Sequence, residues 1–297
     1  MNYCFYHSDL DGESAAAIIY KYLKGDIECI PVNYNNNFPF HKIKPDDHII
    51  IVDFSLQKPG EWDKLLDITW NIIWIDHHKT AIEASMISNV SDLKGIREIN
   101  KSGCVLTWEF FYPNTTVPKS VSLIGDYDIW KFEYGDMTKN FHEGLISMVD
   151  TLPDSKFWDD VLISVDLDIE KLNKSNKIIY DICDIGEKIL VKQSIINRKI
   201  LQSWSFEIDF LGYHCISINR GNIGSLFFES VADQYDILIP YIFDGEQYTV
   251  YLYHGKRKDL NLGEIAKQYQ GGGHFGAAGF QCKELPFTII KRLNKGD

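Results

Sequence analysis

The 297 residues are 45% hydrophobic and 13% aromatic, which supplies folded cores for two domains and excludes a disordered or low-complexity chain. A formal charge of −12 at pH 7 argues against a protein that follows long nucleic acid along a basic stripe, and favours a short or small anionic substrate. Cys4, Cys29, Cys104, Cys183, Cys215 and Cys282 form no C-x-x-C pair and read as small buried residues of a reducing compartment.

Met1 to His7 lacks the basic and apolar pattern of a signal peptide, and no apolar run approaches the ~20 residues that span a bilayer. A cytoplasmic protein without membrane contact is expected. Tyr3 to Tyr6 reads as a short strand, the polar turn Asp9 to Gly12 follows, and Ser14 to Leu23 reads as a helix. Further strands are predicted at Cys29 to Val32, His48 to Val52 and Asn71 to Ile75. The last two run directly into Asp53 and Asp76. Continuous β-branched runs that end on carboxylates describe buried parallel strands with functional groups at their carboxyl ends. Helices are predicted around Cys104 to Phe111 and Val117 to Ile124, the latter ending at Gly125-Asp126.

Apolar residues at helical spacing from Ile169 to Ile189 predict one long connecting helix over Asp166 to Ser203. Beyond it, Phe206 to Phe210, Cys215 to Ile218, Ile237 to Phe243 and Tyr248 to Tyr253 read as strands, the last two joined across Asp244-Gly245. Helices at Gly224 to Tyr235 and Leu262 to Tyr269 complete a small second domain. The fold class is therefore α/β: an N-terminal domain with a largely parallel sheet flanked by helices, a linker helix, and a smaller C-terminal α/β domain.

Three polar clusters carry the chemistry. In the first, His7-Ser8-Asp9-Leu10-Asp11-Gly12, both carboxylates reach one cavity if the turn is tight, and Gly12 permits that backbone. Capping of the following helix explains an isolated D-x-D-G equally well. In the second, Asp53 and Asp76-His77-His78 stand where strands emerge, a costly place for a carboxylate that lacks a counter-charge. Asp126 and Asp128 follow a helix, and either can serve as a cap. Carboxylate and imidazole donors without thiolates favour Mn²⁺, with Mg²⁺ as the alternative, over structural zinc. Two such ions would activate water and neutralise a phosphate under attack. In the third, Gly271-Gly272-Gly273-His274 offers backbone amides and an imidazole with little side-chain bulk, as phosphate-holding loops do. The nearby Lys256-Arg257-Lys258 run reads as a substrate contact through Arg257 or as a solvated loop.

With these residues in order, the chain resembles the DHH/DHHA1 phosphoesterase superfamily, which includes RecJ-like exonucleases, nanoRNase/pAp phosphatases and cyclic-dinucleotide phosphodiesterases. The resemblance implies a DHH domain over residues 1–165, a linker helix region over 166–204 and a DHHA1 substrate-binding domain over 205–297. It implies His7, Asp9, Asp11, Asp53, His77 and Asp126 as ligands of two Mn²⁺ ions, with Asp53 bridging. Asp76 would orient the histidines, His78 and His274 would contact the substrate phosphate, and Gly271, Gly272, Gly273 and Arg257 would bind substrate. Many relatives carry a metal-binding histidine four residues before the first aspartate; here Phe5 holds that position and His7 stands two before it.

The His-x-Asp-Leu-Asp-Gly form is most similar to the nanoRNase B-type branch of oligoribonucleases and cyclic-nucleotide phosphodiesterases. The expected activity is Mn-dependent hydrolysis of phosphodiester bonds in short RNA oligonucleotides. The alternatives are a pAp-type nucleotide phosphatase, a cyclic mono- or dinucleotide phosphodiesterase, a single-strand DNA exonuclease and a non-catalytic nucleotide-binding regulator. Long duplex nucleic acid and membranes are not expected partners, and a homodimer is compatible with the sequence.

Overall fold

The computed structural model describes residues 1–86, 89–148, 150–166 and 169–292. Residues 167–168 of the predicted linker and 293–297 of the predicted second domain lie outside them. The chain divides into two units, Met1–Ile189 and Leu190–Asp297.

The first unit is built on four parallel strands, β1 (Asn2–His7), β2 (Glu28–Val32), β3 (His48–Val52) and β4 (Ile72–Ile75), in the order β2-β1-β3-β4. Because side chains alternate across a strand, this sheet feeds two cores. Cys4, Tyr6, Ile50, Val52 and Ile75 enter one core, with residues of α1 (Leu10–Tyr22), α4 (Gly103–Phe111), α5 (Lys119–Asp128) and α6 (Asp136–Met148). Tyr3, Phe5, Ile49, Ile51, Ile72 and Trp74 enter the other, with Leu65 and Leu66 of α2 (Glu61–Ile68). A seven-residue helix, α3 (Lys79–Ser85), follows the Asp76-His77-His78 run, and α7 (Phe157–Val161) precedes the long helix. The run of three alanines, Ala15 to Ala17, is fully buried, so small side chains bring α1 close to its neighbours.

Two helix boundaries differ from expectation. Helix α1 starts at Leu10, so Asp11 and Gly12 lie in its first turn. Helix α5 runs on to Asp128, which places Asp126 and Asp128 inside its last turn instead of after it. A single helix of 36 residues, α8 (Ile169–Trp204), occupies the stretch predicted to connect two domains, and the division between the units falls within it.

The second unit carries a seven-stranded sheet from β5 (Phe206–Phe210), β6 (Tyr213–Asn219), β7 (Ile237–Phe243), β8 (Tyr248–His254), β9 (Gly272–Gly273), β10 (Ala277–Cys282) and β11 (Thr288–Arg292), ordered β11-β5-β6-β7-β8-β10-β9. Only β6 and β7 pair in parallel among these described strands. Helix α9 (Leu262–Lys267) packs its Leu262, Ile265 and Ala266 into the core of this sheet. The predicted helix over Gly224 to Tyr235 is replaced by two 3-10 turns, Ser225–Phe228 and Ala232–Gln234. Phe227 and Phe228 are buried there, so packing decides the local conformation and helical propensity does not.

Candidate metal centre

All four parallel strands end at one edge of their sheet, and the polar clusters follow those ends. Beyond β1, the Asp9 carboxylate caps α1: its Oδ1 accepts the Gly12 amide at 3.0 Å while its Oδ2 lies 2.5 Å from His7 Nδ1. Capping and a place in the cluster are thus combined in one side chain. Burial works against its charge, but the His7 and Gly12 donors outweigh burial and hold the carboxyl below its ordinary range. A Cβ on Gly12 would strike the His7 backbone carbonyl, so the tight strand-to-helix turn requires glycine there.

Asp11 is buried and has different partners. Both its oxygens accept amides at the start of α4, from Gly103 at 2.6 Å and Cys104 at 3.0 Å, where the helix terminus favours negative charge. Sequence reading passed over Gly103, although a Cβ there would lie 2.6 Å from Asp53 Cβ and 3.0 Å from Asp11 Oδ2. A Ser-Gly pair opening a helix was its only visible signal.

Asp53 follows β3 with φ of 54°, a left-handed conformation that costs a non-glycine residue and marks sites where function holds the backbone. It is 1% exposed; Oδ1 lies 3.0 Å from His77 Nε2, and Oδ2 has no hydrogen-bond partner. Burial first, then the neighbouring Asp11, Asp9, Asp128 and Asp76, push its carboxyl far above the ordinary range. A buried carboxylate so placed calls for a cation.

Asp76, fully buried at the end of β4, organises the two histidines. Its Oδ1 accepts the amides of His77 at 2.8 Å and His78 at 3.2 Å and lies 2.7 Å from His78 Nδ1. Burial lowers the basicity of His78, but the Asp76 hydrogen bond and charge overcome it, and the net shift is upward. His77 moves the other way, since burial, aided by His78, prevails over the attraction of Asp11. Its Nε2 lies 3.8 Å from Asp11 Oδ2 and 3.4 Å from Asp128 Oδ2.

The structure gathers three donor groups: Asp53, His77 and His78; His7, Asp9 and Asp53; and Asp11, His77 and Asp128. In each, the candidate ligand atoms lie within 4.8 Å of one another. Asp53 and His77 each belong to two of them. His7 joins from two residues before Asp9, while Phe5 is wholly buried in the core.

Asp126, expected among the ligands, is in none of the three groups. Its carboxylate accepts the amides of Glu133 at 2.9 Å and Tyr134 at 3.3 Å and the Thr138 hydroxyl. Asp128, two positions on, is in the third group. Although Asp128 counts among the exposed residues, its carboxyl is pushed well above the ordinary range by desolvation and then by Asp11 and Asp9. The two aspartates lie two positions apart on a helical turn, about 200° around its axis. One therefore faces the cluster while the other faces the following loop, and sequence alone could not say which.

The remaining predicted residues lie in the second unit. Gly272 and Gly273 are strand β9, paired with Gly279 and Ala278, and His274 stands exposed in the turn that leads to β10. An open groove of about 880 Å³ is lined by Gln270, Gly271, Gly272 and Gly273 together with Tyr251 and Tyr269. The glycines thus form a hairpin arm, which differs from the expected phosphate-cradling loop. Arg257 is held in a two-pronged ion pair with Asp259, both bonds at 2.8 Å, so its guanidinium is already engaged.

Residues 3–123 match the DHH family, N-terminal domain. An uncharacterized protein of Acanthamoeba polyphaga mimivirus is 29% identical over 305 residues, covering 95% of this chain; the chain spans 66% of that relative's length. Among solved structures, the DHH domain of a member of the s1p family of ribosomal proteins superposes with a TM-score of 0.57 at 12% identity, covering 97% of this chain and 82% of the other. A pGpG-specific phosphodiesterase from Vibrio cholerae aligns with a TM-score of 0.48 at 15% identity, over 95% of this chain and 93% of its own. The superposition at 0.57 shows a shared fold, and the family match covers the strands and turns that carry His7, Asp9, Asp11, Asp53, His77 and His78 and ends before Asp128. In sequence, residues 3–123 of this chain are therefore similar to the N-terminal domain of the DHH family.

Proposed function

We propose that the protein is a metal-dependent phosphoesterase that hydrolyses the phosphodiester bonds of short oligoribonucleotides. The observation that carries this reading is Asp53: buried, left-handed in its backbone, with one oxygen unpartnered, and shared between two donor groups that meet around it. His7, Asp9 and Asp53 would hold one cation, and Asp11, His77 and Asp128, with Asp53 between the sets, a second. Oxygen and imidazole donors without thiolate suit Mn²⁺ or Mg²⁺. When bound, such a pair supplies an acidified water and positive charge against the phosphate oxygens.

The protein's own groups do the rest. Asp76 holds the backbone amides of both histidines and orients the His78 ring, while the His77 ring is held at Nε2 by Asp53. His78, made more basic by Asp76, is the group placed to donate a hydrogen bond to a phosphate oxygen. The net charge of −12 offers little for a long strand to follow, which supports a substrate of a few nucleotides.

The test is a time course with the purified protein, Mn²⁺ and an end-labelled RNA ladder from the dinucleotide upward. The expected result is rapid loss of the shortest species, abolished by chelator and by Asp53→Asn. An untouched ladder overturns the substrate assignment, and full activity in Asp76→Ala overturns the assignment of the centre.

A further inference from the structure

The parallel register of β1 against β2 sets Cys4 opposite Cys29. Directly paired residues of neighbouring parallel strands point to the same face of the sheet, and Cys4 lies inside the core that Cys29 packs against. Both are free thiols. Burial first, and then the neighbouring Cys29 thiol, push the Cys4 thiol well above its ordinary range, so the two sulfurs stand in each other's surroundings. Among the described strands no other cysteine faces a second one: Cys215 pairs with Ile208 and Cys282 with Tyr248, while Cys104 and Cys183 lie on helices.

The two thiols differ in access. Strand β2 is an edge of its sheet and Cys29 is half-buried there, whereas Cys4 is fully buried one strand inward. A peroxide therefore meets Cys29 first, with a second thiol held beside the product. Neighbouring strands run about 4.8 Å apart, while a disulfide brings its Cβ atoms to about 3.8 Å, so the bond draws β2 onto β1 and stays readily reducible. That displacement has a route to the candidate metal centre. The β1–β2 ladder runs on from Cys4 and Cys29 to His7 and Val32. Past it, the Ser8 amide donates to the Val32 carbonyl at 3.2 Å and Asn33 Nδ2 to the Ser8 hydroxyl at 3.2 Å, which ties the turn carrying His7 and Asp9 to the end of β2.

We propose that Cys4 and Cys29 form a peroxide-responsive dithiol whose disulfide weakens cation binding at His7 and Asp9; that consequence rests on the metal-dependent reading above. The Cys29 sulfur attacks one peroxide oxygen, the O–O bond breaks, Cys29 becomes a sulfenic acid and one water leaves. The Cys4 sulfur then attacks the Cys29 sulfur, the S–O bond breaks, and the departing hydroxyl takes the Cys4 proton as a second water. The two thiols are oxidised by two electrons, and the peroxide is reduced by the same two.

The experiment exposes the full chain to hydrogen peroxide, removes the oxidant, maps the products by mass spectrometry before and after dithiothreitol, and titrates Mn²⁺ into each form by calorimetry. A Cys4–Cys29 cross-link, with the loss of two hydrogens, is expected ahead of any change at Cys104, Cys183, Cys215 or Cys282. Cys29→Ser is expected to form no cross-link. In Cys4→Ala, Cys29 is expected to gain two oxygens as a sulfinic acid, which dithiothreitol does not reverse. Mn²⁺ affinity should fall about tenfold in the cross-linked protein, recover on reduction, and stay unchanged when Cys29→Ser is treated in the same way.

Absence of the cross-link in the native protein, whether Cys29 runs on to sulfinic acid or other thiols react first, overturns the dithiol. A cross-linked protein whose Mn²⁺ affinity equals that of the reduced form overturns its coupling to the centre. A protein that forms the cross-link but binds no Mn²⁺ in either form overturns the metal-dependent reading and not the dithiol.

Discussion

Asp126 and Asp128 show how two identical side chains, two positions apart, acquire unrelated tasks. Asp126 is 6% exposed and satisfies three donors of the loop after α5; Asp128 turns its carboxylate toward His77. Replacing either by alanine therefore has a different signature. Asp128→Ala is expected to weaken Mn²⁺ binding at least tenfold while the melting temperature of the metal-free protein holds or rises, because a carboxylate crowded by Asp11 and Asp9 has been removed. Asp126→Ala is expected to keep the Mn²⁺ stoichiometry and to lose about 1–3 kcal/mol of stability, since it strands donors in a buried place. Calorimetric Mn²⁺ titration together with thermal melts checks both. The reversed pattern would restore Asp126 as a ligand.

At the level of elements, the centre depends on the abutment of β1, β3 and α4. The α4 amides hold both oxygens of Asp11, and the absence of a side chain at Gly103 lets Asp53 and Asp11 lie against the helix start. Gly103→Ala is accordingly expected to cost about 1–3 kcal/mol of stability through overpacking and to displace the two carboxylates. Its Mn²⁺ affinity should fall although no ligand is altered. An alanine variant with native melting temperature and native Mn²⁺ affinity would show that the helix start yields without cost. The 3-10 turns over Ser225–Phe228 and Ala232–Gln234 carry the same lesson in the second unit, where burial of Phe227 and Phe228 outweighs a helical reading of the segment.

At the level of the whole molecule, charge sets the expected reach toward nucleic acid. A protein that neutralises six to ten phosphates loses roughly 10³- to 10⁵-fold in affinity between about 50 and 200 mM salt. With a net charge of −12, the affinity of this chain for long single-stranded RNA is expected to be weak and to change by less than about tenfold over that range. A filter-binding or anisotropy series against salt measures it. A steep slope would reveal a local basic track and would reopen the case for a long substrate. Among the described residues, no helix is long and apolar enough to cross a membrane.

The sequence by itself determined the features that depend on short-range pattern. Ile49 to Val52 and Ile72 to Ile75 are β-branched and aromatic runs that only a sheet buried on both faces accommodates, so the parallel strands and the carboxylates at their ends were legible from periodicity. Asp53 stood out because a carboxylate at the end of such a strand needs a reason to be there. The tertiary structure decided everything that depends on which side of an element a group faces. Asp128 turns toward His77 and Asp126 away from it because α5 continues one turn further than its apolar residues announce. Gly103 matters because two carboxylates distant in sequence converge on it. Arg257 is engaged because Asp259 folds back onto it. The left-handed backbone of Trp130 and Phe132 lies in a segment whose amides are accepted by Asp126 and by the Tyr127 carbonyl, contacts that only the folded chain brings together. Spacing along the chain specifies an element, but the rotation of that element about its axis is set by what it packs against, and that information is spread over the entire fold.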